Sequence, residues 1–140
     1  CASPAYLEAH GNPESLDDLQ NHKAVNFFSD HSREVMEWKF IDKDIVVSQR
    51  SASSMLVDNS DILLSCGLSG LGIIQATYPA LKPHIDAGEL VEILTQYPPV
   101  SKPVSVMYPD REYLSPKVRV FIDWFSELFS QQARSMVDCY

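Results

Sequence analysis

Three of the chain's five glycines fall within six residues, Gly67-Leu68-Ser69-Gly70-Leu71-Gly72, and the apolar pair Ile73-Ile74 follows them. No other stretch limits the possible folds as sharply. Ahead of it, residues 58–70 carry a capping signal at Asn59 or Ser60, and Ile62, Leu63, Cys66 and Leu68 or Ser69 recur at helical spacing as an inward side. The glycines therefore end a helix and open a strand. A dinucleotide fold needs the opposite order: glycines that leave a strand and enter a helix whose N-terminus holds the phosphates. The stretch reads as a joint. Gly70 ends the helix in a left-handed conformation, and Gly72 lets the chain turn closely into the next strand.

The rest of the chain alternates in the same way. Ser3, Pro4 and Gly11 bracket a short helix, and a helical turn opens at Ser15. Residues 24–28 read as a strand. Residues 36–41 alternate, with Met36, Trp38 and Phe40 on one face, and residues 45–48 return across Asp42-Lys43-Asp44 as a hairpin. Residues 53–57 and 71–77 are further strands, 78–88 a helix that Pro83 breaks or kinks, and 89–94 and 103–108 the last strands. Ser115 and Pro116 open a long helix in which Val118, Phe121, Ile122, Phe125, Leu128 and Phe129 recur at three- and four-residue spacing. Strands alternating with helices predict an α/β fold with a mixed, mainly parallel sheet flanked by helices, plus a long C-terminal helix.

Composition narrows the function. The 140 residues carry a formal net charge of −8, which argues against a broad grip on DNA or anionic lipid. No apolar run approaches the ~20 residues that span a bilayer. Cys1, Cys66 and Cys139 are widely separated and lack metal-ligand spacing, which suits a reducing, cytoplasmic setting. His10, His22, His31 and His84 form no metal-binding motif, so neither a metal nor a cofactor is expected. Residues 49–55 are serine-rich but lack the elbow of a hydrolase nucleophile.

Four segments in register carry a resemblance: residues 67–75 (GLSGLGIIQ), 83–94 (PHIDAGELVEIL), 103–129 (PVSVMYPDREYLSPKVRVFIDWFSELF) and the opening 1–22. Together they resemble the C-terminal part of LysR-type transcriptional regulators, over Ala2 to about Phe129. Thr77 stands where that family usually carries proline. The resemblance implies a lobe like those of type 2 periplasmic binding proteins. Residues 1–105 would be the second subdomain of an effector-binding region, and residues 106–140 the returning piece of the first. The rest of the first subdomain and a DNA-binding domain would lie outside this chain. It also implies hinge strands at Cys1, Ala2, Ser105 and Val106. A small effector in the cleft would govern DNA binding by the intact protein, which self-associates.

The residues themselves suggest a ligand edge. Asp58, Asn59 and Ser60 stand where a strand ends and a helix begins, where free backbone N–H groups attract a carboxylate. Plain N-capping explains the same side chains, and Asp58 opposes an anion unless it points away. Met107 and Tyr108 join this set as effector-binding candidates. Two other classes stand beside the regulator. An enzyme using Cys1 as nucleophile would need a base and an oxyanion hole that the sequence does not offer. A lipid-anchored periplasmic binding protein would need a signal peptide ahead of Cys1.

Overall fold

The computed structural model describes residues 1–29, 34–100, 107 and 115–137. The expected strand at 103–108 and the hinge residues Ser105 and Val106 lie outside the described residues, as do Tyr108, His31 and Cys139. The chain divides into two units, Cys1–Ser101 and Lys102–Tyr140.

The first unit is built around one central strand. Helix α1 (Pro4–His10) starts as its caps dictate: Ser3 Oγ accepts the Tyr6 N–H at 3.3 Å, and Gly11 closes the helix at φ 84°. A 3₁₀ turn (Asp17–Asn21) follows, opening two residues later than Ser15. Strand β1 (Lys23–Ser29) then runs through the middle of the unit. On one edge it pairs in parallel with β5 (Ala52–Val57), with a bulge where the register shifts at Ala24/Val25. On its other edge it pairs antiparallel with the short β2 (Glu34–Val35), which carries no periodicity of its own. Earlier along that same edge Ala24 bridges Ile73 in parallel, which seats the residues after the glycine joint beside β1. The sheet is mixed, as expected.

Strands β3 (Trp38–Asp42) and β4 (Ile45–Gln49) form a separate antiparallel hairpin. Trp38 and Phe40 are buried on one face as their alternation predicts. Met36 lies outside β3 and is exposed, because its N–H is held by Phe27 O at 2.9 Å. Helix α2 (Ser60–Leu68) buries Leu63, Cys66 and Gly67, whereas Ile62 is half exposed. Ile62 belongs to the outer face because the helix packs through its i, i+3, i+4 stripe from Leu63. Helix α3 (Tyr78–Asp86) passes through Pro83 without breaking, with Thr77 at its N-cap. Residues 89–94 are not a strand; only Val91 pairs, antiparallel to Ala2.

Alternating β1 side chains feed two apolar clusters. Ala24 belongs to one with Tyr6, Leu16, Leu19, Trp38, Phe40 and Ile73. Val25 belongs to the other with Val57, Leu63, Cys66, Ile74, Leu81 and Leu90. Leu19, Val25, Ile73, Ile74 and Leu90 are essentially inaccessible, each worth about 1.5–3 kcal/mol of transfer free energy.

In the second unit α4 (Pro116–Val137) is the described element. Phe121, Phe125 and Phe129 follow one another along one side, the first pair stacked and the second tilted, with ring centroids 5.8 and 4.7 Å apart. Val120, Phe121 and Trp124 are exposed.

Candidate functional site

Parallel pairing decides where a site can form in the first unit. β1 and β5 run the same way; β5 ends at Val57, opposite Phe27, and β1 continues two residues further to Ser29. Loops at the carboxyl ends of such strands, beside the next helix, are where ligands settle in open α/β sheets. Here that loop is Asp58-Asn59, leading into α2 at Ser60.

Asn59 is the N-cap. Its Oδ1 accepts the backbone N–H of Asp61 at 2.8 Å and of Ile62 at 3.2 Å, and its carbonyl accepts Leu63 N–H at 3.0 Å. Two of the N–H groups that the sequence offers to an anion are therefore satisfied from within. What remains for a ligand is the Asn59 amide nitrogen, the Ser60 hydroxyl and the positive end of the helix dipole. Asp58, Asn59 and Ser60 are all exposed, and so is Asp61 in the first turn. Two aspartates flank the loop, so an anion there must be held by directed hydrogen bonds and not by net charge.

The expected hinge residues of the first unit are tied into its middle. Cys1 N donates to Ile74 O at 2.9 Å, and Ile74 N donates to Cys1 O at 2.9 Å. Ala2 exchanges both backbone bonds with Val91, at 3.1 and 2.8 Å. Cys1–Ala2 thus lies between Ile74 and Val91, and Ile73 in turn lies beside β1. Met107 is exposed. Among the described residues no group of His, Cys, Asp or Glu could hold a metal ion. No helix among them is long and apolar enough to cross a membrane.

Two polar features inside the unit escape sequence reasoning. Asn26 on β1 is 4% exposed and donates to Ser53 Oγ at 2.6 Å, across the parallel pair. His22 is 7% exposed and lies 3.3 Å from the hydroxyl of Tyr6, whose ring stacks on His10. The helical spacing of Tyr6 and His10 signals their contact. Nothing local brings His22 to them, because that depends on how α1 packs over the start of β1.

Comparison with known proteins gives one answer. The family model for the LysR substrate binding domain matches residues 1–130. The chain is 33% identical over 131 residues to the HTH-type transcriptional regulator YhjC of Escherichia coli, covering 94% of this chain and 44% of that protein. It is 32% identical to an HTH-type transcriptional repressor of Pseudomonas aeruginosa, covering 93% and 41%. The chain thus spans less than half the length of these curated relatives. Among solved structures it is similar to the regulatory domain of CrgA, a LysR-type transcriptional regulator from Neisseria meningitidis. That match has a TM-score of 0.66 and 26% identity, over 90% of this chain and 61% of that one. The regulatory domain of AphB from Vibrio vulnificus matches with a TM-score of 0.63 and 26% identity, over 88% and 60%.

Proposed function

The chain belongs to the LysR substrate-binding domain family, and from that premise we propose that it is the effector-sensing part of a LysR-type transcriptional regulator. It binds a small metabolite, and that binding controls how the intact protein grips DNA. The DNA contact is made by a domain outside this chain. The chain itself catalyses no reaction and works in the cytoplasm. Residues 1–105 act as the second subdomain, and residues 106–140 as the returning part of the first. Cys1, Ala2, Ser105 and Val106 are the hinge.

The observation that carries this reading is the family match over residues 1–130, together with a mixed sheet in which β5, parallel to β1, runs into the loop that opens α2. Within that loop, Asn59 and Ser60 hold the effector, and Asp58 restricts which anions fit. Met107 and Tyr108 complete the residues proposed to touch it. A carboxylate is the chemical class that the start of α2 favours. Self-association is part of the same reading, supported by Phe121 and Trp124 standing open on α4.

A thermal-shift screen of small carboxylates on the full-length protein tests the site. A true effector at a hundredfold excess over its Kd adds about 2.7 kcal/mol of stability. Ser60→Ala should weaken that response and leave the unliganded melting temperature nearly unchanged, since Ser60 is exposed. A ligand whose response Ser60→Ala and Asn59→Asp leave untouched would remove the loop from the site and leave the family intact.

A further inference from the structure

Tyr6 of α1 is 2% exposed, and its hydroxyl meets three groups at the start of β1. It accepts the Lys23 backbone N–H at 2.9 Å. It also lies 3.3 Å from the Lys23 carbonyl and 3.3 Å from Nδ1 of His22. A phenol has one proton and can satisfy only one of those two acceptors. When His22 carries its proton on Nε2, the phenol donates to Nδ1. When His22 carries it on Nδ1, the imidazole donates and the phenol turns to the carbonyl. His10 stacks on the same tyrosine ring, centroids 4.3 Å apart and 12° between planes, with its Nδ1 3.1 Å from the Tyr6 carbonyl.

This enclosure suits a neutral His22 and not a charged one. From α1 it faces Tyr6 and His10, from the 3₁₀ turn Asp18, and from β1 the Lys23 backbone. Asp18 is the carboxylate of that set, and its Oδ2 already accepts the Glu14 and Ser15 N–H groups at 3.0 and 2.8 Å. The His10 imidazole, stacked on the same tyrosine ring, disfavours a charge on His22. Around Tyr6 the cluster is otherwise apolar, including Leu16, Leu19, Ala24 and Ile73. Burial first, and His10 second, hold His22 below the ordinary imidazole value, with Asp18 opposing them.

We propose that Tyr6, His10 and His22 form an acid-released latch that ties α1 to the start of β1. The folded chain takes up the His22 proton less readily than the unfolded chain. The latch is therefore at full strength above the ordinary histidine value of about 6.5, and weakens as pH falls from there toward the folded value. Charging His22 drives it toward solvent, which takes one partner from Tyr6 and uncovers its hydroxyl, so that water competes for the Lys23 N–H bonded there. Helix α1 leaves directly from Ala2 and Ser3, so its release loosens the segment paired with Val91. The latch does not depend on the effector reading, and its failure would leave that reading untouched.

The test is hydrogen exchange of the Lys23 amide in the full-length protein, read at single-residue resolution and corrected for the intrinsic rate. Protection should fall at least about tenfold between about pH 7.5 and about pH 5. His22→Gln should make protection equal at both pH values, and Tyr6→Phe should lower it at both. Equal protection in the wild type at the two pH values overturns the latch. So does a His22→Gln protein that keeps the wild-type fall. Should His22→Gln not fold, the NMR titration of the His22 ring decides: a midpoint clearly below about 6.5 supports the latch, and one at or above it refutes it.

Discussion

Gly72 is where a single added methyl group does the most damage. A Cβ there would stand 2.7 Å from the Lys23 carbonyl oxygen and 3.1 Å from its carbon, both backbone atoms of the central strand. Backbone that is itself paired, by Ile73 N–H to Lys23 O at 2.9 Å, cannot step aside cheaply. Gly67 has a shorter contact, 2.5 Å to Cδ1 of Ile74, but that atom is the end of a side chain that can change rotamer. Gly72→Ala should therefore cost about 2–3 kcal/mol, and Gly67→Ala clearly less, as read from urea midpoints at constant m-value. The reverse ranking would mean that packing of Ile74, and not approach to β1, sets the need for glycine. The joint was legible as a joint, because Gly70 and Gly72 sit just past a helical pattern. The need at Gly67 was hidden, because it comes from Ile74 folding back onto α2.

The elements divide by how local their causes are. The hairpin β3–β4 turns on two residues, Lys43 and Asp44, with Asp42 opposite Ile45. Both hold positive φ, 48° and 66°, the conformation that Asn-Gly adopts most cheaply. Replacing Lys43-Asp44 with Asn-Gly should stabilise the first unit by about 1 kcal/mol, measured by thermal or urea unfolding. A destabilised double variant would show that the lysine or aspartate side chain holds the turn instead. This hairpin, α1 and α2 were readable because caps, turns and alternation lie within a few residues of one another. The parallel pairing of β1 with β5 was not, since nothing in residues 52–57 names their partner. Residues 89–94 look like a strand by composition, yet only Val91 finds an antiparallel mate, Ala2, some ninety positions away in sequence. The start of α2 was legible as a candidate site for the same local reason that it was legible as a cap. Asn59 is the cap, and only the structure reveals that its Oδ1 is committed to Asp61 and Ile62, which leaves its amide nitrogen for the proposed effector.

At the scale of the whole molecule, the chain has one mixed α/β unit, Cys1–Ser101, and a second unit whose described element is the long helix α4. It is matched over 1–130 by a regulatory-domain family and covers 44% and 41% of two curated relatives. Its net charge of −8 is consistent with the proposed reading, in which DNA is gripped outside this chain. A sensing part is useful only if ligand and DNA are coupled through the intact protein. The direct measurement is the affinity of the full-length protein for a promoter fragment that it selects, titrated with and without the metabolite found by thermal shift. Coupling of about 1–3 kcal/mol predicts a change of about 5- to 150-fold in that affinity, with the metabolite recovered chemically intact. An unchanged affinity at saturating metabolite, or a metabolite consumed during the titration, would contradict the sensor reading.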